Sequence, residues 1–272
     1  MKEKNSNEED TLQYLLRYQE NQYLSSFVNG VVHFTDLSKY RSMVDNEYIG
    51  DINEGAYNLD QSRFKEEIDK YKLEKSWFID HNIIYPNVYS VSFLALSIDD
   101  FSLHTEGNHI HGNLKDSRIE EIQQNFLNDG VERQLIAIVN PETYLDSISK
   151  SVKNYFEKRH QSVIVLSRNI IYSSNPTESA DNLYREEIQN DPELSKYADP
   201  VSMISFCKGT KYQNQSEYRI AIFPSQKITD FDGDIQLSNN DIKMSSLKKI
   251  ESSENLGSVF SVDISAEGFE MC

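Results

Sequence analysis

The densest run of residues able to do chemistry is Lys208–Phe223, KGTKYQNQSEYRIAIF. In an extended chain successive side chains alternate, so Gln215, Glu217, Arg219 and Ala221 would share one face. Ser216, Tyr218, Ile220 and Ile222 would share the other, and that apolar face should be buried. Gln215 and Glu217 would then look outward side by side near the strand's start. A carboxamide beside a carboxylate can accept from a ribose hydroxyl and hold an acceptor group. A plain amphipathic strand with a polar outer face is the blander alternative. The second run is Tyr89–Phe93, where Ser90 and Ser92 occupy one face of an otherwise apolar stretch. Buried hydroxyls need partners, from backbone or from ligand.

Three further groups invite chemical readings. Between Gly30 and Gly55 the chain sets His33, Thr35, Tyr40, Arg41, Asp51 and Glu54 among apolar residues, and Arg41 could clamp Asp51 or Glu54. His104, His109 and His111 gather with Glu106 in LHTEGNHIHG. His109 and His111 sit at alternate positions, but a third ligand at fixed spacing is not evident, so no metal is assigned. The segment from Asp99 to Asp116 reads instead as a polar loop, with a lid or acceptor-recognition element as the alternative. Asp230, Asp232 and Asp234 alternate in TDFDGDI but read as a turn rather than a nuclease centre. The chain has no Gly-rich phosphate loop and no nucleophile elbow, which leaves kinase, GTPase and hydrolase readings without support.

The elements that must position these residues follow from periodicity. Leu12–Arg17 supplies one strand or a helical turn. Residues 21–29 read as a helix closed by Gly30, and Val31–Thr35 as a strand. Phe64, Ile68 and Tyr71 recur at helical spacing within 60–72. Val88–Ile98 is a buried strand, or two, and Gln134–Val139 is another. Pro141 suits the first turn of a helix carrying Leu145, Ile148, Val152 and Tyr155 on one side. Strands follow near 162–172, helix near 177–198, and strands at 217–223 and 259–264. Strands and helices mix without a βαβ rhythm, so an α+β fold is expected. No repeat or composition shift divides the chain; residues 1–10 read as a disordered tail and 11–272 as one domain.

Composition narrows the class. Forty-four acidic residues face 27 basic ones, a formal charge of −17. Such a field disfavours broad nucleic-acid binding, although a local basic pocket could hold a small anion. Sixteen Tyr and 13 Phe argue against general disorder. Two cysteines cannot make a disulfide framework, and no apolar run or signal-like leader is present, so a cytoplasmic, non-membrane protein is expected.

Taken together, the motifs resemble those of mono-ADP-ribosyltransferases, through an uncharacterised bacterial and phage family with the same layout. The layout has an Arg or His on an early strand, matched by Arg17 or His33. A Ser-x-Ser strand follows, matched by Ser90 and Ser92 with Val91 where the pattern has Thr, and then a Gln/Glu-x-Glu strand matched by Gln215 and Glu217. The likeness spans residues 12–224. It implies a fold of split mixed sheets with peripheral helices, and NAD as substrate. Cleavage of the nicotinamide–ribose bond passes through an oxocarbenium-like state. Glu217 would accept from the ribose 2′-hydroxyl and stabilise the developing charge, and Gln215 would orient the acceptor. Arg17 or His33, Ser90 and Ser92 would hold the dinucleotide. A Gln at position 215 implies a nucleobase or a non-arginine protein side chain as acceptor. The resemblance also implies a toxin, toxin–antitoxin or antiviral-defence setting, with an antitoxin or inhibitor as partner. The alternative is a non-catalytic acidic binding or regulatory module of the same fold.

Overall fold

The computed structural model describes residues 12–37, 39, 55–58, 83–84, 87–106, 109–124, 132–224, 228, 230–245, 247–250, 261–265 and 268–270. The expected tail 1–10, the helix at 60–72 and the Arg41, Asp51 and Glu54 clamp lie outside these residues.

The architecture is α+β, built on a seven-stranded antiparallel sheet. Its strands are β1 (Leu12–Glu20), β3 (Thr35–Asp36), β6 (Tyr89–Ser97), β9 (Arg133–Ile138), β10 (Val163–Asn169), β13 (Glu217–Pro224) and β15 (Leu247–Ile250). They run in the order β10-β13-β6-β1-β9-β15, and β3 also pairs with β6. The stretches expected at 88–98, 134–139 and 217–223 all lie in this sheet. Each carries buried apolar residues on both faces, which suits a strand covered on both sides.

Alternation sorts the core. Leu15, Val91, Phe93, Ala95, Ile136, Ile220 and Ile222 join one cluster with a helix, Pro141–Glu157. That helix buries Tyr144, Ile148, Val152 and Phe156, four residues apart, and packs Leu145 and Tyr155 at the margin. Burying each large apolar side chain of this kind contributes about 1.5–3 kcal/mol. The opposite face of the sheet is divided. Tyr14, Leu16, Leu94, Leu96, Leu135 and Ala137 pack with Ile122 of the helix Asp116–Gln124. Ala221 and Phe223 pack with Phe206 and with Ala180 and Leu183 of the helix Pro176–Asn190. Asn175 caps that last helix by accepting from the Glu178 amide, with Pro176 in its first turn.

Smaller sheets flank the main one. β2 (Val31–His33) pairs with β14 (Asp234–Gln236), and β11 (Ile171–Ser173) runs parallel to β12 (Cys207–Gly209). Two expectations are corrected here. Residues 99–116 are no polar loop: β7 (Phe101–Glu106) and β8 (His109–Leu114) form an antiparallel pair. They are joined by β16 (Ser261–Ser265) and β17 (Gly268–Glu270) in a four-stranded sheet. Asp234, read as part of a turn, lies on β14, although Asp232 does accept a turn-type bond from the Asp234 amide.

Candidate functional site

Glu217 opens β13 because the residue before it breaks the strand. Ser216 has φ 41°, a left-handed conformation, and closes a 3-10 turn at Thr210–Gln215. The expected continuous face from Gln215 to Ala221 is therefore interrupted: Gln215 lies in the turn, and Glu217 is the first strand residue. The Ser216 carbonyl accepts from the Ala95 amide at 2.9 Å, which aligns β13 with β6 across the break.

Glu217 does not look outward. It is 7% exposed and Arg219 2%, because the helix Pro176–Asn190 and the Phe206 segment cover this face as well. The register places Glu217 beside Leu94, Arg219 beside Ser92 and Ala221 beside Ser90. Leu94 belongs to one apolar cluster of this face and Ala221 to the other, so the charged residues occupy the seam between them.

Both oxygens of the carboxylate are engaged. Its Oε1 accepts from Ser92 Oγ, from Arg219 Nε at 2.8 Å and from Arg219 Nη2 at 2.6 Å. Its Oε2 accepts from Lys208 Nζ at 2.7 Å. Lys208, buried on β12, also donates to Gln215 Oε1 at 3.2 Å. Arg219 donates in addition to Ser92 Oγ at 3.3 Å and to the Ser205 carbonyl. Tyr172, directly opposite Lys208 in the parallel β11–β12 pair, accepts from the Glu217 amide at 2.9 Å. Burial pushes the Glu217 carboxyl up, but the Arg219 and Lys208 charges, with hydrogen bonds from Lys208 and Ser92, more than offset it and bring the group down to about 2. Burial, then the Glu217 charge, push the Tyr172 phenol up to about 12. At neutral pH the centre is one carboxylate, two cations and neutral hydroxyls.

Arg17 reaches the same strand from the opposite face. Its guanidinium lies 5.6 Å from the Phe93 ring centroid, on the side where Phe93 meets Tyr144. Its Nη1 donates to the Ser92 backbone carbonyl. That carbonyl sits where β6 changes neighbours, between Leu94–Ser97, paired with β1, and Tyr89–Ser90, paired with β3. Ser90 is wholly buried, and its Oγ has no hydrogen-bond partner among the described residues. His33 lies on β2, half-exposed, with Nδ1 2.7 Å from Asp234 Oδ1.

Of the residues singled out in the sequence, the structure thus joins Ser92 with Glu217 directly and Gln215 with Glu217 through Lys208. Arg17 touches the Ser92 carbonyl and the Phe93 ring but neither serine hydroxyl, and His33 is engaged with Asp234 instead. Sequence reasoning gave no role to Lys208, Arg219 or Tyr172. Opposite charges at 217 and 219 on one strand face were a signal for the Arg219 pair; no spacing rule points to Lys208 or Tyr172.

Among the residues whose side chains are described, no group of three or more His, Cys, Asp or Glu is gathered to hold a metal, and no helix is long and apolar enough to cross a membrane. Compared with family models, with curated proteins and with solved structures, the chain matches none of them.

Proposed function

We propose that this protein is a mono-ADP-ribosyltransferase, moving ADP-ribose from NAD to a nucleobase or a non-arginine protein side chain, with Glu217 as its catalytic carboxylate and an ADP-ribosyltransferase-like fold. The observation that carries the reading is the bond from Ser92 Oγ to Glu217 across adjoining strands. Two motifs far apart in sequence, Ser90 with Ser92 and Gln215 with Glu217, also meet at neighbouring strands, β6 and β13, while Arg17 on β1 lies on the other face of the sheet. A carboxylate held ionised can stabilise an oxocarbenium-like centre at any physiological pH. The reading has a structural requirement. Oε2 accepts only from Lys208 and keeps a lone pair, but Glu217 is 7% exposed, so a ribose hydroxyl can reach that oxygen only when its cover moves aside. Ser92 and Arg219 would keep Oε1 fixed meanwhile.

A second reading is favoured by the closure of the same cluster. A carboxylate 7% exposed and neutralised by two buried cations is what a purely structural ionic centre requires, in a non-catalytic acidic binding module. Incubation with labelled NAD and cell extract separates the two. Transferase activity predicts label on protein or nucleic acid that disappears in Glu217→Gln and persists in Ser216→Gly, whose backbone angle glycine accepts. Absence of label with the folded wild-type chain, at every acceptor tried, would leave the module reading.

A further inference from the structure

The main sheet ends in two edges, and they are guarded differently. At one end β15 (Leu247–Ile250) is four residues long and carries Lys248 and Lys249, both exposed. A short edge strand with lysines is a common protection against pairing with another chain. At the other end β10 (Val163–Asn169) is seven residues long, and β13 is the only strand it pairs with among the described residues. It contains neither lysine nor proline, and its register with β13 runs from Val163 to Asn169 without a bulge. Its one charge, Arg168, is drawn to Glu187 of the helix Pro176–Asn190 at 2.7 Å.

The apolar side chains of β10 seat its two faces. Val163 and Val165 pack against the cluster beneath the helix Pro141–Glu157, and Ile164 and Leu166 against the Phe206 cluster. What they leave open is the backbone. Ile170 donates its amide to the Glu217 carbonyl at 2.8 Å, so by alternation Arg168, Leu166 and Ile164 direct their N–H and C=O groups to β13. Val163, Val165, Ser167 and Asn169 direct theirs away from it. A row of such groups is a template for a further strand.

The strand is complementary to itself in the antiparallel sense. About a two-fold axis at Val165, that residue exchanges backbone bonds with its own copy, and Val163 does so with Ser167 of the second chain. Ile164 and Leu166 then lie opposite each other, apolar against apolar, and Arg168 lies opposite the neutral Ser162. A parallel pairing in register would set Arg168 beside Arg168, and like charges placed so destabilise a pair. We infer that β10 pairs antiparallel with β10 of a second copy, so that one continuous sheet runs through a two-fold dimer. None of the side chains around Glu217 comes from β10, so this dimer stands or falls apart from the transferase reading. Seven paired residues make a small interface, and the dimer is therefore weak and concentration-dependent. Each chain carries −17, so the dimer tightens as salt screens their repulsion.

Sedimentation equilibrium of the full chain, from micromolar to submillimolar concentration, tests the pairing. A monomer–dimer equilibrium is expected, shifted towards dimer by added NaCl. Val165→Pro deletes the outward N–H at the axis while leaving the β13 ladder its donors, and Ser167→Lys supplies the missing guard. Each should weaken association about 10-fold or more, the size expected when backbone bonds on both sides of the axis are lost. Urea unfolding checks that both variants fold; should Val165→Pro fail, the exposed Ser167 carries the test. Tyr23→Ser, which removes an exposed aromatic ring on another element, should associate as the wild type does. Amide exchange at Val163, Val165 and Ser167 should slow as chain concentration rises, while Ile164 and Leu166 stay protected throughout. A monomer at every concentration, or a dimer of unchanged affinity in Ser167→Lys with fast exchange at Val165, overturns the inference.

Discussion

Ser92 Oγ donates to Glu217 Oε1 from the neighbouring strand, joining residues 125 positions apart in sequence. The same oxygen is held by Arg219, and the other by Lys208. Two cations and one carboxylate sharing a buried seam make every member costly to remove alone.

Glu217→Gln keeps the shape of the side chain but leaves Lys208 and Arg219 as uncompensated buried cations. Breaking a buried pair from one side costs about 3–5 kcal/mol. Ser92→Ala removes one hydrogen bond to a charged group and should cost about 1.5–3 kcal/mol. Urea unfolding of both variants checks the order; a Glu217→Gln protein as stable as wild type contradicts the ionic centre.

The same carboxylate gives a pH dependence of defined sign. Its folded-state value, about 2, lies below its ordinary value of 4.5. Its contribution is therefore complete above about pH 4.5 and is lost as pH falls from there towards 2, where the folded protein must protonate a group it holds ionised. The difference in unfolding free energy between wild type and Glu217→Gln should shrink across that window. A difference independent of pH between 5 and 2 would count against the pairing.

Arg17 is expected to act on stability rather than on dinucleotide binding, because its guanidinium contacts the Ser92 carbonyl and the Phe93 ring on the far face. Arg17→Ala should destabilise by about 1–3 kcal/mol, and Arg17→Lys should recover only part, since an ammonium lacks the planar fork. If labelled-NAD transfer is observed, its KM should change little in Arg17→Lys. A large rise in KM at unchanged stability would reassign the residue to the ligand.

Gly233 has φ 96°, and a Cβ there would lie 2.4 Å from the Phe34 carbonyl oxygen. Gly233→Ala combines a left-handed backbone, costing roughly 1–2 kcal/mol, with a clash against main chain that cannot rotate away. Thermal unfolding should show a loss of more than about 2 kcal/mol. Gly209, with nothing within 4 Å of a built Cβ, is the matched control.

Cys207 is buried, and burial pushes its thiol up to about 12, although the Arg168 and Arg219 charges pull the other way. The thiolate needed for reaction is then scarce at pH 8. In a Cys272→Ser background, a thiol reagent should label the native chain far more slowly than the urea-unfolded chain. Equal rates would place Cys207 at the surface.

Much of the main sheet was legible because β6, β9 and β13 are rich in β-branched and aromatic residues. The helix from Pro141 was legible from its own periodicity and its proline. Alternation along β13 correctly separated Glu217 and Arg219 from Ile220 and Ile222. It gave no information on whether the polar face is covered, which depends on Phe206 and the Pro176–Asn190 helix. The hairpin at 101–114 was missed because Gly, Asn and His at 107–112 resemble loop composition. Its strand character depends on pairing with β16, some 150 positions later, and on Phe101 and Leu114 packing beneath. That Arg17 and the Ser92 hydroxyl lie on opposite faces of the sheet was not legible, because strand phase fixes alternate faces but not which face two separate strands share.

The position of β1 has a consequence for how the chain is made. Both its edges are occupied in the finished sheet, by β6 on one side and β9 on the other, so this strand must leave the ribosome long before either neighbour exists. Its apolar residues Tyr14, Leu15 and Leu16, sealed in the native protein, gain their full cover only once synthesis has passed the helix Pro141–Glu157 that packs on Leu15. Nascent chains halted before that point present a bare hydrophobic ribbon, and they are the species on which a chaperone would act.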